Sequence, residues 1–202
     1  GAVVGSTFVT PAANGSWSWD NTGASRADGN YTLSATIVDK AGNRVNTAAA
    51  GTDSQVVTID TTAPGQNENG QPAAQSKPVV SIAEATNGVN ASELTDGVQT
   101  EVTLPTGTKA GDTVTLTVTD PSGDKRTVEH TVTQAEVTAG KSSVTVPTTA
   151  VSEDGSYKVT AVVTDVAGNT SGSSDETPFT LDTTAPAKPT LIGTDDVGTV
   201  TG

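Results

Sequence analysis

The chain has 202 residues and a formal net charge of −13, from 23 acidic against 10 basic side chains. Such a balance repels a phosphate backbone or an anionic lipid surface, which excludes nucleic acid as a partner. Cysteine is absent, and with it go disulfides, thiolate chemistry and cysteine-ligated zinc.

Aromatics make up only 3% of the chain, while Thr, Val, Ala, Gly, Ser and Asp dominate. That is the vocabulary of short strands and turns, so an all-β fold is expected. No apolar run approaches the ~20 residues of a membrane span, and the N-terminus lacks a basic-then-apolar segment. No membrane insertion is expected, and any export signal lies elsewhere. Excess carboxylates on a folded chain repel one another unless solvated or neutralised, and calcium is a usual neutraliser.

In chain order, alternation predicts strands at 6–10, 16–19, 31–38 and 55–59, then at 77–84, 99–104, 113–119, 126–133, 142–146, 157–164 and 178–181. The second group reaches the seven or so short strands of a β-sandwich; the first holds only the later strands of one. Residues 1–60 therefore read as the C-terminal part of a repeat, 61–77 as a linker, and 78–182 as a complete repeat. Residues 183–202 read as a linker and the start of a further repeat, as in a piece of a longer chain.

The repeat itself is explicit. DGNYTLSATIVDKAGN at 28–43 returns as DGSYKVTAVVTDVAGN at 154–169, a constant offset of 126 (154 − 28 and 165 − 39). Each copy runs on to DTTAP, at 60–64 and at 182–186. Tyr31, Leu33, Ala35 and Ile37 alternate with polar residues, as do Tyr157, Val159, Ala161 and Val163, giving each strand one buried and one wetter face. A Tyr opening the penultimate strand just after an Asp-Gly corner is similar to the tyrosine corner of immunoglobulin-like folds.

NGSWSW at 14–19, the two DG-x-Y stretches, the two D-x-AGN turns, the two DTTAP ends and TDDVGTVTG at 194–202 together resemble the large repetitive bacterial surface adhesins. These are the biofilm-associated-protein-like and type I-secreted RTX adhesins built from immunoglobulin-like repeats. The resemblance covers most of the chain except the middle of the complete unit. It implies tandem Greek-key β-sandwich domains forming an extracellular rod on the bacterial cell surface, stiffened by calcium. Such a stalk serves attachment to a host or abiotic surface or to a biofilm matrix through other regions. Neighbouring repeats of the same chain are then the direct partners.

Strand polarity places the acidic residues. The last strand of the first unit ends at Asp60, and the antiparallel strand from Tyr31 begins beside it. Asp28 and Asp60 therefore share the outbound pole, with Asp39 at the inbound one. By the same reasoning Asp165 and Asn169 occupy the inbound pole of the second unit, and calcium between Asp28, Asp60, Asp165 and Asn169 would fix the interdomain angle. Asp154 and Asp182 would serve the next junction, and Asp39 and Asn43 a preceding one. The same residues also suit turns and caps without a metal.

EATNGVNASE at 84–93 resembles a calcium loop with Gly at its bend, but its spacing to Glu93 is one short and it lacks early Asp residues, so it reads as a polar loop. Asp195 and Asp196 are further candidates. The single His130 has no second His or Cys to form a triad or metal site, and reads as a solvated strand residue. Trp17 and Trp19 point to one face and read as core. No cleft for glycoside hydrolysis and no phosphate-cradling Gly loop is expected, so the chain is not an enzyme. The alternative reading is a carbohydrate- or protein-binding module of an adhesin tip or a secreted hydrolase.

Overall fold

The computed structural model describes residues 5–20, 25–46 and 54–190. It divides into two compact units, Gly1–Thr61 and Thr62–Gly202. Strands are numbered through the chain. Those of the first unit are β1 (Gly29–Ser34), β2 (Thr36–Val38), β3 (Arg44–Asn46) and β4 (Ser54–Ile59).

The second unit carries seven strands: β5 (Val79–Ile82), β6 (Val98–Thr103), β7 (Thr113–Thr119), β8 (Lys125–Thr131), β9 (Lys141–Val146), β10 (Gly155–Thr164) and β11 (Thr177–Leu181). They form a three-stranded sheet, β5-β6-β9, and a four-stranded sheet, β11-β10-β7-β8, with every ladder antiparallel. Connections that leave one sheet for the other after β6, β8 and β9 make this a Greek-key sandwich.

The strict alternation of Val with Thr or Ser makes the two inner faces. Val80, Ile82, Val98, Val102, Val144 and Val146 come from one sheet, and Val114, Leu116, Val118, Val159, Val163 and Leu181 from the other. Tyr157 and Phe179, partners across β10 and β11, stack with ring centroids 5.0 Å apart. Such a pair adds about 0.5–1.5 kcal/mol beyond its burial. Both units have the tyrosine corner: the Tyr157 hydroxyl donates to the Glu153 carbonyl at 2.8 Å and the Tyr31 hydroxyl to the Ala27 carbonyl at 2.8 Å.

Several sequence expectations change. The strand expected to run to residue 133 stops at Thr131, and a short helix α1 (Gln134–Ala139) follows. Thr133 and Glu136 close a capping box on it, so two terminal amides are satisfied locally where a strand would have needed a ladder partner. His130 is not simply solvated: half-buried, it bonds the Glu136 carboxylate at 2.7 Å, tying β8 to α1. The strand expected at 77–84 is cut to Val79–Ile82 by a 3-10 turn at Ala83–Thr86.

In the first unit β1 pairs with β4 and β2 with β3. Residues 6–10 and 16–19 are not strands. The chain turns tightly, with the Ala12 amide on the Ser16 carbonyl at 2.8 Å, but no ladder extends from that turn. Trp17 and Trp19 are accordingly not core: they remain 55% and 37% exposed. Leu33, Ile37 and Val57 are exposed too, where the matching Val159, Val163 and Phe179 are buried. Asp195 and Asp196 lie outside the described residues.

Two hydroxyls, Thr100 Oγ1 and Ser142 Oγ, are buried within the core sheet without a hydrogen-bond partner. A buried unpaired hydroxyl costs about 1–3 kcal/mol. Thr100→Val, which swaps that hydroxyl for a methyl of the same shape, should raise stability by about 1 kcal/mol in urea unfolding.

Candidate metal centre

One turn recurs through the chain. In Asp165–Asn169 the Asp165 amide donates to the Asn169 carbonyl at 2.9 Å, and the Gly168 amide to the Asp165 carbonyl at 3.1 Å. Asp165 Oδ1 accepts from the amides of Ala167 and Asn169 at 2.9 and 2.8 Å, and Oδ2 from Asn169 Nδ2 at 2.9 Å. Gly168 sits at φ +97°, a left-handed position that a Cβ would strain. The same bonding is found with Asp39 and Asn43, whose carboxyl is held below its usual value by the Asn43 side chain and amide. The backbone pattern returns between Asp120 and Asp124, where Asp120 Oδ1 takes the Ser122 and Asp124 amides. This is turn chemistry complete without a metal.

What sets Asp165 apart is its neighbour. The β7–β10 ladder ends at Thr113 with Thr164, so the next residues on the two strands are Asp112 and Asp165. Asp112 is 1% exposed and Asp165 8%. Asp112 Oδ2 accepts from the Lys109 amide at 2.7 Å, whereas Oδ1 is buried without a partner. Burial pushes the Asp112 carboxyl above its usual value and the Asp165 charge adds to the rise, while the Lys109 amide, the Lys109 charge and the Val166 amide oppose it. Like charges opposed across a ladder are destabilising by up to about 1 kcal/mol. Asp112 was missed in the sequence; the signal was its position just before β7, at the strand end that antiparallel pairing sets against Asp165.

The outbound poles are built from the same cross-strand relation with the opposite outcome. Gly155 pairs with Leu181 and Gly29 with Ile59, so Asp154 stands by Asp182 and Asp28 by Asp60. Here neutral donors take up the charge. Asp154 Oδ1 accepts from the Thr183 amide and hydroxyl at 2.9 and 2.7 Å, and Oδ2 from the Thr184 hydroxyl at 2.8 Å. Asp182 Oδ1 accepts from the Thr184 amide at 3.0 Å. Asp28 Oδ1 accepts from the Thr61 amide and hydroxyl at 2.9 and 2.7 Å. The Thr183 hydroxyl and amide and the Thr184 hydroxyl hold the Asp154 carboxyl below its usual value.

In the loop at 84–93, Glu93 Oε2 accepts from the Asn90 amide at 3.0 Å and Glu84 Oε2 from the Gln99 amide at 3.3 Å, so its carboxylates brace the loop. Among the described residues no three His, Cys, Asp or Glu side chains converge. The Asp112–Asp165 pair could thus supply part of a hard-cation shell, the rest coming from carbonyls, water or other oxygens.

Models of the bacterial Ig-like domain match residues 73–183 and residues 9–61. The chain belongs to the bacterial Ig-like domain family. Domains of this family are non-catalytic structural modules, in keeping with the expectation that the chain is not an enzyme. Among solved structures it is similar to a tetra-tandem repeat from the extending region of a large adhesion protein. The two share 24% identity over 87% of this chain and 38% of that one, with a TM-score of 0.43. It is also similar to a Ca2+-stabilised adhesin that helps an Antarctic bacterium reach out and bind ice. That match has 26% identity over 78% of this chain and 33% of that one, with a TM-score of 0.39. The chain thus spans well under half the length of either. No curated protein sequence matches it.

Because the folded state holds the Asp112 proton more tightly than an unfolded chain does, this group favours folding most below the usual value of 3.8. The advantage falls as pH rises through the raised value. Asp112→Asn should flatten that fall and, in chelator at neutral pH, stabilise the chain by roughly 1 kcal/mol. Urea unfolding across pH checks both.

Proposed function

We propose that these repeats are stalk modules of a bacterial cell-surface adhesin, holding a binding region away from the cell in surface attachment or biofilm formation. Successive matches to bacterial Ig-like domain models and the duplicated strand-turn-linker sequence support the reading. Residues 78–182 act as one whole repeat in it. Residues 1–60 act as the C-terminal part of another.

Calcium is the proposed stiffener, and the observation that carries it is the Asp112–Asp165 pair at the inbound pole, with one buried carboxylate oxygen that makes no hydrogen bond. A divalent cation bound there neutralises two opposed charges and gives that oxygen a partner. Asp112 and Asp165 would hold it, and carbonyls, water or other oxygens would complete six to eight ligands at about 2.3–2.6 Å. Linking two repeats through one ion restricts their relative angle. In this reading the ion sits at the inbound pole, and Asp28, Asp154 and Asp182 stay with their Thr donors.

Calcium at about a hundredfold over its dissociation constant should add about 2.7 kcal/mol, on the order of ten degrees in melting temperature. Calorimetry with calcium and with chelator, alongside small-angle scattering for shape, tests this. An unchanged melting temperature and an unchanged scattering profile would sink the calcium reading.

A further inference from the structure

Strand β11 ends at Leu181, and the Asp182 amide is the last to find a main-chain partner, the Val89 carbonyl at 2.9 Å. The next amide, that of Thr183, would be left over. Instead it donates to Asp154, a residue 29 positions earlier that stands at the start of the neighbouring strand. The Thr183 and Thr184 hydroxyls reach the two oxygens of the same carboxylate. In the first unit the Thr61 amide and hydroxyl reach Asp28 in the same way, across 33 positions.

We infer that Asp28 with Thr61, and Asp154 with Thr183 and Thr184, are metal-free clasps that bind the first residues of each linker to the repeat it leaves. The chemistry explains the residue types. A carboxylate offers about four lone-pair sites, and hydrogen bonds to a charged group are stronger than neutral ones. Threonine supplies both an amide and a hydroxyl on a side chain stiff at χ1. Clasped, the linker leaves the sandwich in a direction set by its own last strand before Ala185 and Pro186. Asp28 and Asp154 are positioning residues here, and the inference stands whether or not calcium binds at Asp112.

Amide exchange on the full chain, followed by NMR in chelator, tests it. The Thr61 and Thr183 amides should exchange at least about tenfold more slowly than in an unstructured chain. Asp154→Ala should remove the Thr183 protection while leaving β10 protected. Asp154→Asn, which keeps an acceptor oxygen at Oδ1, should restore much of it. Fast exchange of Thr61 and Thr183 in the unsubstituted chain, or protection unchanged in Asp154→Ala, would overturn the clasp. So would protection that forms only with calcium, or a calcium-induced shift of the Asp154 carboxylate that persists in Asp112→Asn.

Discussion

The antiparallel register of β10 against its two neighbours is the constraint on which the rest depends. Pairing Val159, Ala161 and Val163 with Val118, Leu116 and Val114 puts the apolar set of both strands on the inner face. A slip of one residue would turn every one of them to water. The same register decides what stands at the strand ends, where the apolar alternation stops and Asp begins. At one end it opposes Asp165 and Asp112, and at the other Asp154 and Asp182.

Two carboxylate pairs made by one geometric rule meet different fates because their surroundings differ. The outbound pair is exposed and supplied with threonine donors, so its charge is solvated by the chain itself. At the inbound pair the carboxylate oxygens of Asp165 are used to close the turn, and Asp112 Oδ1 makes no hydrogen bond, with the Val166 amide only nearby. A buried carboxylate oxygen without a hydrogen bond is a cost to folding, met in part by the raised proton affinity of Asp112. The proposed cation would give that oxygen a partner.

Much of this was legible in the sequence where a local rule was sufficient. The alternation of β7 gives its bounds, Thr113–Thr119, without error, and the DG-x-Y repeats announce both tyrosine corners. Residues 6–10 and 16–19 alternate just as convincingly, yet alternation only says that a segment could pair. A ladder also needs a partner strand in register, and 6–10 and 16–19 pair with neither β1-β4 nor β2-β3. Helix α1 was hidden for the opposite reason: its Thr133–Glu136 capping box was in plain view, but the preceding β run appeared to continue through it. Asp112 could not be singled out by type or spacing, because its meaning arises only from the residue across the ladder. Strand polarity is enough to set Asp28 and Asp154 at the strand starts, while their partners Thr61, Thr183 and Thr184 become evident only with the side chains in place.

The claim that Asp112 and Asp165 form one cation site is open to a direct measurement. With carbon-13 in the Asp carboxyl groups, calcium can be titrated into the full chain while each side-chain carboxyl signal is followed by NMR. The account predicts that the Asp112 and Asp165 signals move together and saturate with a single ion, with those of Asp120 and Asp154 unmoved. Asp112 and Asp165 signals that stay in place at saturating calcium, or that titrate independently of each other, would contradict it.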